Sequence, residues 1–149
     1  MDAPTPQRHH MTFESTRAAS GEASAWAREL AAQAGLSEEC IYKIDLCIVE
    51  LVSNIVDHGY RGGPGRIWVG FELSPDAAVL TILDQAPAFD PLSVPAPALA
   101  TSIEGAQVGG FGIHMVRSSA DRCSYERRDG ANVFTALFSL PLGGGPGRG

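Results

Sequence analysis

One amphipathic stretch, Ser37 to His58, limits the folds open to this chain more than any other. At about 100° per residue, Ile41, Ile44, Ile48, Leu51, Val52, Ile55 and Val56 share one broad side of a helix. Ser37 followed by Glu38 and Glu39 supplies an N-cap with acids in the first turn, so the helix begins there. An apolar side this wide has to be covered by a core. Glu50, Asn54 and Asp57 fall nearly opposite, with His58 close by. An acid and an amide one turn apart suit a shared hard cation, or a hydroxyl that must lose a proton. Taken alone, the pair is better explained as a solvated i,i+4 contact.

What surrounds this helix changes period twice. A shorter helix runs from Gly21 to Ala34 on Ala25, Trp26, Leu30 and Ala31, and Gly35 stops it. Ahead of it, Met11 to Ser15 reads as a short edge strand. After the Arg61–Gly65 turn, Ile67, Val69, Phe71 and Leu73 alternate with Arg66, Trp68, Gly70 and Glu72, as in a strand with one face on the core. Ala77 to Leu83 is nearly continuous in apolar residues, which predicts a central strand covered on both faces and ended by Asp84. Gln85 to Val108 contains four prolines and no periodicity, the profile of a functional lid or of disorder. Gly109 to Gly112 then opens a third helix through Ile113, Met115, Val116 and Ala120. The strands Arg122–Arg128 and Ala131–Leu140 flank an Asp129-Gly130 hairpin turn. The expected fold class is α+β, a two-layer sandwich with a mixed, mostly antiparallel sheet and about three helices on one face.

The expected organisation is a disordered lead-in over 1–10, a single domain over 11–141 with its lid at about 85–108, and a flexible tail over 142–149. A length of 149 residues suffices for one such core. A formal charge of −6 argues against non-specific binding to nucleic acid or to an anionic membrane. Cys40, Cys47 and Cys123 show no metal-ligand spacing, and their odd number fits a reducing compartment. With no stretch approaching the ~20 apolar residues that cross a bilayer and no signal pattern at the start, the expected location is the cytoplasm.

Three polar features acquire meaning from their order. Asp84 closes a buried strand and needs a donor there, from a backbone amide or an arginine structurally, or from a purine amine functionally. Glycines ahead of the third helix leave N–H groups exposed at a helix N-terminus, a phosphate cradle in outline. With 17 glycines in the chain, a chance turn explains that cluster equally well. If phosphates sat at Gly110–Gly112, Asn54 would offer an oxygen to a magnesium ion, and Glu50 would stand one turn away to take a proton.

In this order the motifs resemble a known family. Glu50-Leu51-Val52-Ser53-Asn54-Ile55-Val56-Asp57-His58-Gly59-Tyr60 is similar to the N-box of small GHKL-type ATPases, above all the bacterial anti-sigma factor serine kinases. Asp84-Gln85-Ala86-Pro87-Ala88-Phe89-Asp90-Pro91 resembles their adenine box. Gly109-Gly110-Phe111-Gly112-Ile113-His114-Met115-Val116 resembles their last glycine box. The likeness spans Met11 to Leu140.

The resemblance implies the Bergerat ATP-binding fold, with ATP and Mg²⁺ as cofactors. It implies Glu50 as catalytic base, Asn54 as magnesium ligand, Asp84 as acceptor for the adenine amine, and Gly110 and Gly112 beside the phosphates. Ala86 lies in the adenine box, and Asn132 either reaches that pocket or serves only the hairpin; His58 is expected to buttress the helix end. The implied function is an ATP-dependent protein-serine kinase and anti-sigma factor in a partner-switching system. Its partners would be a STAS-domain anti-sigma factor antagonist, a sigma factor and a second copy of itself, joined through the first strand and helix near an exposed Trp26. Direct nucleic-acid or membrane binding is not implied. One departure counts against it: Ala86 and Ala88 stand where the family often has glycine, and a methyl at 86 is expected to weaken nucleotide binding or shift the base. The alternative is a non-catalytic module of the same fold that sequesters a partner.

Overall fold

The computed structural model describes residues 5–93 and 111–140. The order is β1 (Gln7–Glu14), α1 (Ala19–Gln33), α2 (Glu38–Asn54), a π-helical turn (Ile55–Gly59), β2 (Arg66–Leu73), β3 (Ala77–Asp84), a 3₁₀ turn (Pro91–Ser93), α3 (Phe111–Ser119), β4 (Arg122–Arg128) and β5 (Ala131–Ser139). The five strands form one sheet in the order β1-β2-β3-β5-β4. The class is α+β as expected. The sheet differs from the mixed one anticipated, because every adjacent pair in it is antiparallel.

The alternation read in β2 is observed, with Ile67, Val69, Phe71 and Leu73 all buried. The register carries that face across the sheet. Val69 stands opposite Ile82, and Ile82 opposite Phe134; Ile67 stands opposite Asp84, and Asp84 opposite Asn132. β3 is central, as its apolar run indicated, yet only one of its faces is covered. Ala78, Leu80, Ile82 and Asp84 are buried, while Ala77, Val79, Thr81 and Leu83 are half-exposed. The cause is the two-layer arrangement: the helices contribute Ile44, Ile48, Val52, Ile113 and Val116 to the same buried cluster as the inner faces of β2, β3 and β5.

Further differences lie in β1 and in the helices. β1 starts at Gln7, within the stretch expected to be a lead-in, because pairing from Gln7↔Leu73 to Glu14↔Arg66 supplies backbone partners irrespective of side chain. In α1 the buried stripe is Ala19, Ala23, Ala27 and Ala31, not the line through Ala25, which is exposed. Small side chains at every fourth position let α1 lie close along α2, where Ser24 donates a hydrogen bond to Asp45. Trp26 is half-buried, its ring edge-on to Phe13 with centroids 6.1 Å apart. In α3, Ile113 and Val116 are buried and Met115 is exposed.

The helix ends follow their sequence signals. Ser37 Oγ accepts the Cys40 N–H at 3.1 Å. Gly35 has φ +79°, with its N–H on Ala32 O and the Leu36 N–H on Ala31 O, which closes α1 as a Schellman cap. The Asp129-Gly130 turn has φ values of 52° and 78°, the two left-handed residues of a type I′ hairpin. Residues 94–110 and 141–149, which hold most of the expected lid, Gly110 and the tail, lie outside the described residues.

Burial, and secondarily the neighbouring Cys123, pushes the Cys47 thiol from its ordinary 9.0 up to about 12. A raised folded pKa means this stabilisation is intact below pH ~9 and declines as pH rises toward ~12. Iodoacetamide at pH ~8 is expected to leave Cys47 unmodified in the folded protein and to modify it in urea. Labelling of native Cys47 would contradict its burial.

Candidate functional site

The site lies where β3 ends against the last turns of α2. Asp84, the final residue of β3, is 5% exposed. Its Oδ1 accepts two hydrogen bonds, from the Ala86 N–H at 2.9 Å and from Asn132 Nδ2 at 2.9 Å. The donor that the sequence required is thus a backbone amide and an asparagine rather than an arginine. Among the described residues no hydrogen bond reaches Oδ2, and Asp84 lines a cavity of about 210 Å³, roomy enough for a flat aromatic base. Leu51, Asn54, Gly59, Ala86, Phe89 and Asn132 contribute to its walls.

Asn132 sits opposite Asp84 in the β3–β5 register, which aims it at the residues following β3. Its Nδ2 donates to Asp84 Oδ1, to Pro87 O at 3.1 Å and to Ala86 O at 3.3 Å. Its Oδ1 accepts from Tyr125 OH at 2.6 Å and from the Phe89 N–H at 3.1 Å. A residue with a possible role confined to the hairpin therefore holds one wall of the cavity. Arg127, beside Asn132 in the β4–β5 register, donates to Ala86 O at 2.8 Å. Tyr60 OH accepts the Gln85 N–H at 2.8 Å and donates to Arg66 O at 2.7 Å. These bonds tether residues 85–89, the start of the expected lid, as a strap.

The sequence assigns no role to Tyr60, Tyr125 or Arg127, although Tyr60 closes the Glu50–Tyr60 motif that carries the resemblance. Tyr125 and Arg127 fall on the inward positions of β4, which only the register makes visible. His58, expected to buttress the helix end, lies exposed in its last turn at the cavity and forms no hydrogen bond among the described residues. Tyr60 fastens that end of the helix instead.

Glu50 and Asn54 lie on the side of α2 turned toward α3 and the cavity. A Cβ placed on Gly112 would overlap the Glu50 carboxylate and fall 2.8 Å from its Cδ. A side chain at 112 would displace the Glu50 carboxylate from the first turn of α3, where N–H groups favour negative charge. Asn54 lines the cavity one turn along, and Glu50 is half-buried. The structure thus brings Asn54, Asp84, Ala86 and Asn132 to the walls of one recess; Glu50, one turn along α2 from Asn54, instead meets Gly112 at the start of α3, and Gly110 is among the residues not described. The floor can hold a planar group through a carboxylate acceptor, and the α3 end can receive an anion beside a carboxylate base. Among the described residues no group of three or more His, Cys, Asp or Glu side chains could hold a metal on its own.

The sequence matches the family described as histidine kinase-like ATPase domain over residues 13–138. It is 33% identical over 111 residues to the serine/threonine-protein kinase BtrW of Bordetella bronchiseptica, covering 74% of this chain and 78% of that protein. The crystal structure of the RsbU and RsbW domains of Rv1364c from Mycobacterium tuberculosis superposes with a TM-score of 0.64 at 23% identity. That match covers 93% of this chain but only 34% of the longer protein, so the likeness is one of fold. No helix among the described residues is long and apolar enough to cross a membrane.

Proposed function

The chain belongs to the histidine kinase-like ATPase domain family, and from that premise we propose that it is an ATP-dependent protein-serine kinase acting in a partner-switching system. Its substrate would be a serine on a STAS-domain anti-sigma factor antagonist, and a sigma factor would be its second client, bound by a homodimer in the cytoplasm. The observation that carries the reading is a recess with Asp84 and Asn54 in its walls, one helical turn from Glu50, whose carboxylate meets Gly112 at the start of α3.

ATP with Mg²⁺, when bound, supplies the phosphoryl group. The residues of the chain divide the remaining work. Asp84 Oδ2, unbonded among the described residues, can accept a hydrogen bond from an exocyclic amine, and Asn132 keeps Oδ1 engaged so that the carboxylate does not turn. Asn54 would offer a side-chain oxygen to a magnesium ion carried with the nucleotide, which would neutralise phosphate charge. The first turn of α3, with Gly112 and by motif Gly110, favours phosphate oxygens. Glu50 accepts the proton of the attacking serine hydroxyl. A phosphoserine adds roughly −1.5 to −2 charges at the antagonist's docking surface, enough to release it.

Against the non-catalytic alternative stands the cavity itself: with Ala86 in its wall, about 210 Å³ stays open beside Asp84. The test is to incubate the protein with Mg-ATP and candidate STAS-domain proteins and to map phosphoserine by mass spectrometry. Modification of one serine, lost with Asn54→Ala, is expected. Nucleotide binding without transfer to any such partner would overturn the substrate assignment.

A further inference from the structure

We propose that Gly59 and Ala86 form a steric pair that sets the position of Asp84: the glycine in the π-turn is what admits an alanine into the strap below the cavity. Its consequence for binding rests on the nucleotide-site reading above, whereas its geometry does not. A Cβ built on Gly59 falls 3.1 Å from the Ala86 Cβ, inside the ~3.5–4.0 Å of an unstrained carbon–carbon contact. The next neighbour, Ile55 Cγ2, is at an ordinary 3.7 Å. Ala86 is thus the group that denies position 59 a side chain.

Neither partner is free to retreat. The Ala86 N–H is bonded to Asp84 Oδ1 at 2.9 Å, and its carbonyl accepts from Arg127 at 2.8 Å and from Asn132 at 3.3 Å. On the other side, the π-turn is closed by the Tyr60 N–H on Ile55 O at 2.8 Å and the Gly62 N–H on Val56 O at 2.9 Å. Tyr60 is itself tied to the Gln85 N–H. A second methyl at this contact would therefore be absorbed by the bonds that hold Asp84. The contact takes one methyl in total. Ala86, where the resembled family often has glycine, is accommodated by the side chain missing at 59.

The test is a double-substitution cycle on the full chain: wild type, Gly59→Ala, Ala86→Gly and the double variant. Amide hydrogen exchange at positions 86 and 89 is measured without nucleotide, and Mg-ATP affinity by calorimetry. Gly59→Ala is expected to speed exchange at both amides about tenfold and to weaken nucleotide binding about tenfold. Adding Ala86→Gly is expected to return both to within about threefold of wild type. If Gly59→Ala does not fold, recovery of a folded double variant carries the same meaning, and its failure to fold overturns the pair. Wild-type exchange in Gly59→Ala, or a double variant no better than that single one, also overturns it. So does faster exchange with unchanged nucleotide affinity, which would leave the contact purely structural. A wild type that binds no nucleotide, with exchange still rescued in the double variant, would sink the proposed function and leave the steric pair standing.

Discussion

Replacing Glu50 with glutamine is expected to slow phosphoryl transfer to serine by about 10²–10⁴-fold, the usual contribution of a positioned general base. Glutamine keeps the length and planarity that let residue 50 lie against Gly112, and it removes only the capacity to take a proton. Nucleotide affinity is therefore expected to stay within about threefold of wild type, so the loss falls on the chemical step. Initial rates of phosphoserine formation at saturating Mg-ATP, set beside calorimetric affinities, separate the two quantities. A glutamine variant with near-wild-type transfer would remove Glu50 from the chemistry and point to another base.

The second large effect is expected at Asn132. Truncation to alanine withdraws a donor from Asp84 Oδ1, Ala86 O and Pro87 O, and an acceptor from Tyr125 and the Phe89 N–H. Asn132 is 7% exposed, so little water reaches the groups left behind. Leaving such groups unpaired costs about 1–3 kcal/mol each where it is not relieved, and a total loss of about 2–4 kcal/mol in denaturant-derived stability is expected. Nucleotide affinity is expected to fall more than about tenfold in the protein that remains folded, because Asp84 loses one of the two bonds that orient it. Asn132→Asp is not a rescue, since it sets a second carboxylate against Asp84. Urea unfolding checks the first effect and calorimetry the second. An alanine variant with wild-type stability and affinity would show that the network does not hold the strap.

What could be read in advance was local. The Ser37 cap, the alternation of β2 and the Asp129-Gly130 turn each depend on residues a few positions apart, and each is found as expected. The stretch Gln7–His10 shows no apolar alternation, so its strand state comes from pairing with β2 alone. The alanine stripe of α1 was hidden by Trp26 and Leu30, which are more hydrophobic but only half-buried. The apolar run of β3 correctly gave a central position and misled about the second face, because composition does not reveal how many layers cover a sheet. In the candidate site, Glu50, Asn54 and Asp84 are legible as spaced polar residues on otherwise apolar elements. Asn132 is named only through the resemblance, and its place in the site depends on strand register, since its partners from Asp84 to Phe89 lie 43 to 48 residues away. The same holds for Arg127, whose partner is 41 residues away, and for the Gly59–Ala86 contact.

The central claim is that the recess at Asp84 binds ATP. Titrating Mg-ATP into wild type and into Asp84→Asn tests it most directly, since asparagine preserves the Oδ1 acceptor used by Ala86 and Asn132 and replaces the free Oδ2 with a donor. Saturable binding by wild type, weakened at least about tenfold in the asparagine variant, is the predicted result. Folded wild-type protein that binds no ATP or ADP at millimolar concentration would contradict it.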